Sequence, residues 1–443
     1  MLHKVWIESL GCTKNTVDSE VMLGLLVARG LPLAESPEQA DLIIVNTCGF
    51  IASATEESIE AILEMVTYKK SGSCKGIIVA GCLYQRYREK LSSEFPEVDA
   101  FIGCNEIGKI VEAYQAIQGE KKYYTIGASE FLYDHNTPRV LLNGRASTYV
   151  KIAEGCDNRC TYCTIPSIRG RYRSRTIESV VREVRNLIKK GAKEINLLAQ
   201  DTTYFGQAEG REEGLTALLR ELDNIRAKKW LRLMYAHPGR ITNAVARTIE
   251  DSRSICHYVD MPIQHISDEI LRAMGRSGTS GDIRRAIHVL RSEVSDVALR
   301  TTVMVGFPGE TDREFEQLLD FVRETKFERL GVFTYSREPG TPAAQYRKQV
   351  PARVKQERHE ILMREQMLIS HSLNETLVGK KMEVLIEGTD EEDPAIAIGR
   401  TYRDAPEVDG IVRVLYKKRP ALNSFQQVII TAAHDYDLEG KLL

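Results

Sequence analysis

Through most of this chain, short β-branched runs alternate with amphipathic helical stretches. That alternation restricts it to parallel sheets wrapped by helices. Runs at 5–10, 42–47, 76–80 and 98–102 read as strands, with helices over 18–29, 54–69, 84–93 and 106–114. Residues 1–120 are therefore expected to form a doubly wound parallel α/β domain of the flavodoxin kind. A second series follows, with strands at 149–153, 194–200, 231–236, 255–261, 299–305 and 331–335. Its helices fall at 177–190, 215–226, 243–252, 267–274, 282–294, 312–325 and 353–373. Six β/α units over 146–375 make a partial (β/α)6 TIM-type barrel, open at one side, which suits a large substrate. Between the two lies a connector, 121–145, with a hairpin-like tract (122–126, 139–142) and a turn at 134–138. Beyond 376 the pattern changes to short strands at 381–387, 396–401, 410–415 and 427–434, a small antiparallel β-barrel.

The cysteines fall on this scaffold where chemistry is expected. Cys156, Cys160 and Cys163 stand in EGCDNRCTYCTIP, with the spacing C-x3-C-x2-C, on the loop after the first barrel strand. Three thiolates so close can hold three irons of a cubane and leave the fourth open to an outside ligand. A zinc site would need a fourth Cys or His at similar spacing, and the next histidine is the distant His237. Cys12, Cys48, Cys82 and Cys104 each follow a strand of the first domain. Parallel strands deliver their carboxyl ends to one sheet edge, so these four can converge on a second metal site; the alternative is small buried residues filling strand ends.

The 443 residues carry a net charge of −2, nine cysteines and no apolar run long enough to span a bilayer. The first residues lack a signal peptide's apolar stretch. A reducing, cytoplasmic setting with cysteines as metal ligands is expected, with no membrane partner. The acidic run Asp390-Glu391-Glu392-Asp393 argues against RNA backbone and for a solvated loop or a basic protein partner. No apolar helix face is left over for a dimer, so a monomer is expected.

Other candidates end barrel strands. Gln200-Asp201 and Gln264-His265 are placed to hold a cofactor or substrate, and Gly306 to Glu310 form a glycine-bearing turn able to lie against a ligand. Arg169, Arg171, Arg173 and Arg175 alternate and so can face one way, toward an anion or toward solvent. His237 and His265 read as hydrogen-bonded structural residues.

The cysteine spacing, with Tyr162 before the last Cys, resembles the radical S-adenosylmethionine superfamily. The domain order resembles its methylthiotransferase family over nearly the whole chain. SLGCTKNTVDSE, NTCGFI and VAGCL match the family's first domain, and IEGTD, GRTYRDAPEVDG and HDYDLEG match its small TRAM domain. The resemblance implies two [4Fe–4S] clusters, one on Cys156, Cys160 and Cys163 and one on Cys12, Cys48 and Cys82, with Cys74, Cys104 and Cys256 outside the ligand set. It implies S-adenosylmethionine as cofactor, with Tyr162, Gln200, Asp201, Gln264, Gly306 and Glu310 as its candidate binding residues, and an external electron donor. Lys14-Asn15 and Val17, NTCGFIASATEESIEAI and PSIRGRYRSR resemble the branch that modifies an aspartate of small-subunit ribosomal protein number twelve. The tRNA branch, which modifies an adenosine beside the anticodon, tends toward Gln-Met-Asn at the first of these places. Thr13, where the ribosomal-protein branch commonly has Pro, is a departure. The implied reaction puts a methylthio group on the aspartate β-carbon. The alternatives are the same chemistry on tRNA and a non-catalytic iron–sulfur or RNA-binding protein.

Overall fold

The computed structural model describes residues 4–443 except 73, 128–130, 143, 145 and 212. Five parallel strands build the first sheet: β1 (Val5–Ser9), β2 (Leu42–Thr47), β3 (Gly76–Gly81), β4 (Ala100–Gly103) and β5 (Tyr123–Thr125). Alternate residues of one strand enter two cores, as a pleat with both faces covered requires. Ile44, Ile78 and Ile102 pack with Val17, Val21 and Leu26 of the helix Thr13–Val27. Ile43, Ile77 and Phe101 pack with Ile62, Met65 and Val66 of the helix Ala52–Ser71.

Three details depart from the sequence reading. The strands lie in chain order, β1-β2-β3-β4-β5, not in the flavodoxin order, so no reversal of order marks a switch-point crevice. The tract at 122–126 pairs in parallel with β4 as the fifth strand rather than folding into a hairpin. The helix expected over 84–93 is two short ones, Cys82–Tyr87 and Glu89–Glu94, broken where Arg88 takes φ +50°.

The second sheet contains β6 (Ser147–Lys151), which runs on into the two-residue β7 (Ala153–Glu154). β7 pairs antiparallel with β8 (Arg173–Ser174), and this ribbon brackets the cysteine loop. Gly155 opens that loop at φ +79°, and a Cβ there would meet the Arg171 carbonyl oxygen at 2.0 Å, so only glycine fits. The barrel continues with β9 (Glu194–Leu198), β10 (Trp230–Leu233), β11 (Ile255–Asp260), β12 (Ala298–Val305) and β13 (Arg329–Thr334). The six-stranded parallel order is β6-β9-β10-β11-β12-β13, with no closure between first and last. Ile195, Leu197, Leu231 and Leu233 face the outer helices. Leu198, Met234 and Tyr258 belong instead to the core that holds the helix Thr13–Val27 and, from the last domain, Leu385 and Ala405. The open barrel is thus completed by its neighbours.

The C-terminal segment is a closed barrel of β14 (Lys381–Thr389), β15 (Ile396–Arg400), β16 (Val412–Leu415), β17 (Ser424–Ala433) and β18 (Leu438–Leu442). Sequence reading found four of these strands; the fifth, β18, carries Glu439, Gly440 and Lys441 and so lacks a strand's apolar signal. Buried ion pairs dock this barrel on the amino-terminal ends of the large barrel's strands. Glu194 receives Arg232 at 2.7 Å and Arg400 at 2.5 Å, and Arg329 holds Asp404 at 2.5 Å. Burial opposes the Glu194 charge, but the two guanidinium groups outweigh it and hold its carboxyl at about 2, against an ordinary 4.5. A depressed folded pKa gives stability that is present above the ordinary value and lost as pH falls toward the folded one. Denaturation midpoints of the wild type should therefore fall between about pH 4.5 and pH 2. Glu194→Gln should be less stable at neutral pH and lose less through that window; equal slopes would exclude this coupling.

Candidate active site

All six cysteines of the two sequence motifs line one cavity of about 610 Å³. Cys12 sits at the amino end of the helix Thr13–Val27, Cys48 follows β2, and Cys82 begins the short helix after β3. Cys156, Cys160 and Cys163 face them from the barrel's ribbon-bounded loop. The chain order of the strands is why this works: β1, β2 and β3 are neighbours, so their carboxyl ends put three cysteines side by side. Gly11, at φ +88°, lies so close that a Cβ would meet the Cys48 Cβ at 2.7 Å.

None of the nine cysteines is in a disulfide. Burial pushes the Cys48 and Cys163 thiols up to about 12 and raises Cys156 as well. Such thiols stay protonated unless something positive replaces the lost hydration, which a metal centre does. A hydrogen bond from Cys104 lowers Cys82, with Arg169 adding to the effect against the cost of burial. Among the described residues no three His, Cys, Asp or Glu side chains converge on a single ion. A cubane takes one thiolate per iron around a larger core, and two trios of free thiols lining one cavity fit that group. Cys104 is buried behind Cys82, against the Ile168 carbonyl at 3.5 Å, and does not line the cavity. Cys74 and Cys256 lie in the cores.

A buried charge network reaches the cavity lining at Arg169 and Asn15. The Arg169 guanidinium donates to Asn15 at 2.7 Å, Glu154 at 3.0 Å and Asp18 at 3.1 Å, and reaches the Cys82 sulfur at 3.5 Å. Lys151 donates to Glu154 at 2.7 Å and to Asp18. Two acids balance two bases, and the pairs cross from the first domain to the barrel. The arginine stripe thus does not face one way. Arg169 and Arg175 are buried, Arg175 on Glu183 at 2.5 Å, while Arg171 is 92% exposed along its side chain. At the rim, Glu338 joins the barrel to the first domain, receiving Arg86 and the Ala52 N–H, each at 2.9 Å.

Of the remaining candidates, Tyr162, Gln200, Asp201 and Gln264 line the cavity. Asp201 is fixed by Arg240 at 2.5 Å and Asn158 at 3.0 Å; Gln200 donates to Glu154 at 3.1 Å; Gln264 takes φ +68°. Gly306 and Glu310 are absent from the lining. Glu310 turns back to accept the Gly306 N–H at 3.0 Å and pairs with Arg358 at 2.7 Å, bracing its own turn. His237 does reach the cavity, but burial, with Arg276 and Arg240 adding, holds its pKa down at about 2. Its Nδ1 accepts the Gly239 N–H at 3.1 Å. His265 is buried, Nδ1 on the Ser267 N–H at 3.0 Å. Sequence reading missed Asn158, Tyr235, Arg276 and Phe333 on the lining. Tyr235 follows a strand, as Gln200 and Gln264 do, and that position was the available signal.

The Radical SAM superfamily matches residues 150–322, uncharacterized protein family UPF0004 matches 4–103, and the TRAM domain matches 378–443. The chain is 46% identical over 442 residues to the ribosomal protein uS12 methylthiotransferase RimO of Desulforamulus reducens, covering 100% of both chains. The chain belongs to the RimO family. Its relative of that name in Syntrophotalea carbinolica is 47% identical over 442 residues, covering 100% of this chain and 97% of the other. That in Carboxydothermus hydrogenoformans is 47% identical over 440, covering 99% of each. Among solved structures, the radical S-adenosylmethionine methyltransferase TsrM from Kitasatospora setae matches with TM-score 0.59 at 17% identity, over 77% of each chain. The cobalamin-dependent S-adenosylmethionine radical enzyme OxsB matches with TM-score 0.54 at 13% identity, over 82% of this chain and 56% of its own. These two share the fold. RimO membership makes the chain a radical S-adenosylmethionine transferase with a [4Fe–4S] cluster.

Proposed function

We propose that this enzyme adds a methylthio group to the β-carbon of an aspartate in ribosomal protein uS12, using two [4Fe–4S] clusters. The observation that carries this is the meeting of two cysteine trios, from two domains, in one cavity. Cys156, Cys160 and Cys163 would hold the cluster that takes S-adenosylmethionine, and Cys12, Cys48 and Cys82 the second. Together these groups supply hydrogen-atom abstraction from an unactivated carbon and a methylated sulfur to replace the hydrogen, which no side chain of ordinary pKa can do.

The chain's own residues position and shield. Asp201, held by Arg240 and Asn158, presents a fixed carboxylate to the cavity, suited to the cofactor's hydroxyl or amino groups. Gln200, Gln264 and Tyr162 line the same side and serve as further cofactor contacts. Gly306 and Glu310 support them from behind. The neutral Asp18–Lys151–Glu154–Arg169 network keeps water from the cavity lining at Arg169, which matters because a carbon radical must react only with its intended partner. The first unit, 1–120 extended by β5, connects through the rest of 121–145 to the barrel, 146–375, which 376–443 follows; the three divide the work into sulfur supply, radical formation and substrate docking. An external reductant supplies the electron, and the enzyme acts in the cytoplasm as a monomer. Among the described residues no helix is long and apolar enough to cross a membrane.

The reading is tested by incubating the reconstituted enzyme with S-adenosylmethionine and a reductant, in parallel with uS12 and with unmodified tRNA. Mass spectrometry should find a methylthio group on one uS12 aspartate. Modification of tRNA alone would overturn it.

A further inference from the structure

Each other charged side chain lining the cavity has an ion-pair or hydrogen-bond partner. Arg169 is engaged by Glu154 and Asp18, and Asp201 by Arg240. Arg276 donates to the Pro262 carbonyl at 2.7 Å. Lys14 differs. It is 8% exposed, it lines the cavity, and among the described residues it has neither an ion pair nor a side-chain hydrogen bond. A ring face lies beside it: Nζ is 3.5 Å from the centroid of Tyr235.

Two costs bear on a cation at this place. Burying an ammonium without a counter-charge is unfavourable. Lys14 also stands in the first turn of a 15-residue helix that has no acidic residue there, the end where the backbone dipole disfavours positive charge. The Tyr235 face offsets part of this. Tyr235 itself holds φ +58°, a left-handed backbone that a bulky side chain adopts at a cost. A lysine buried in the cavity wall, with no carboxylate partner among the described residues, is suited to an anionic group in the cavity. Lys14 is two residues from Cys12, and Tyr235 follows β10 of the barrel, so the ammonium sits where the two halves of the site meet.

We infer that Lys14 receives the carboxylate of the substrate aspartate and so sets this enzyme's preference for an acidic side chain. The inference rests on the proposed reaction at an aspartate. The carboxylate is bonded directly to the β-carbon, so an ammonium that fixes it also fixes the carbon to be attacked, and Tyr235 limits the approach to one side.

The test compares reconstituted wild type, Lys14→Met and Lys14→Arg for binding to uS12 and to uS12 with its target aspartate changed to Asn. Iron content equal to wild type certifies that each variant is assembled. Wild type should prefer the aspartate form by about tenfold or more, the range of one charged hydrogen bond. Lys14→Met should lose that preference by weakening the aspartate form alone, and Lys14→Arg should keep most of it. Equal weakening of both forms, or an unchanged preference in Lys14→Met, would overturn the inference. A wild type that modifies no uS12 aspartate at all would remove the functional reading and the inference with it.

Discussion

Alanine at Cys48 should abolish methylthio transfer while cofactor cleavage continues. Cys48 belongs to the first-domain trio, and the cleavage chemistry is assigned to the barrel trio lining the same cavity. Removing a residue that merely orients a metal ligand already costs 10- to 100-fold in many sites, so loss of a ligand should cost more than about 100-fold in transfer. The 5′-deoxyadenosine formed per methylthio group should rise correspondingly, measured by chromatography on one reaction mixture. Cys12→Ala and Cys82→Ala should behave alike. Cys74→Ala is the control, since Cys74 lies in a core and donates to the Gly76 carbonyl at 3.3 Å, away from the cavity. Transfer surviving in Cys48→Ala near the wild-type rate would show that sulfur does not come through this trio.

Arg169→Met should destabilise the protein by about 3–5 kcal/mol, the cost of breaking a buried ion pair from one side. The side chain is 2% exposed, and its removal leaves Asp18 and Glu154 to share Lys151, one buried negative charge in excess. Methionine fills much of the volume, so the loss reports on charge rather than on a cavity. Lys at this position should restore little, because a single ammonium cannot serve Asn15, Asp18 and Glu154 together as the planar fork does. Because these pairs cross between domains, the lowered denaturant midpoint should come with separate unfolding of the first domain, seen as probe-dependent transitions. A variant within about 0.5 kcal/mol of wild type would mean the network is solvated and does not seal the wall.

The architecture was legible because alternation reports faces. Each expected strand of the two parallel sheets is present, and the six cysteines were singled out from their places at strand ends and on one loop. Neighbours were not legible. Periodicity does not say which strand lies beside which, so the chain-order sheet replaced the flavodoxin order, and β5 was read as part of a hairpin. Side-chain direction was also hidden. Spacing put Arg169 with Arg171, Arg173 and Arg175 on one face, but the β7–β8 ribbon, Glu154 beside it and the Asp18 carboxylate of the first domain turned Arg169 inward. Glu310 was placed near the cofactor on the strength of its turn, and Arg358, 48 residues later in sequence, draws it away. Lys14 was visible as a letter that differs between branches. Its lack of a counter-charge became visible only when the fold brought Tyr235 beneath it.

The central claim is that two cysteine trios in one cavity hold two clusters. Iron and sulfide should be counted after anaerobic reconstitution of the wild type and of the Cys156/Cys160/Cys163→Ala triple variant. Two cubanes give about eight irons per chain, falling to about four in the variant. About four irons in the wild type, falling to none, would leave one cluster and contradict the account of sulfur supply from the first domain.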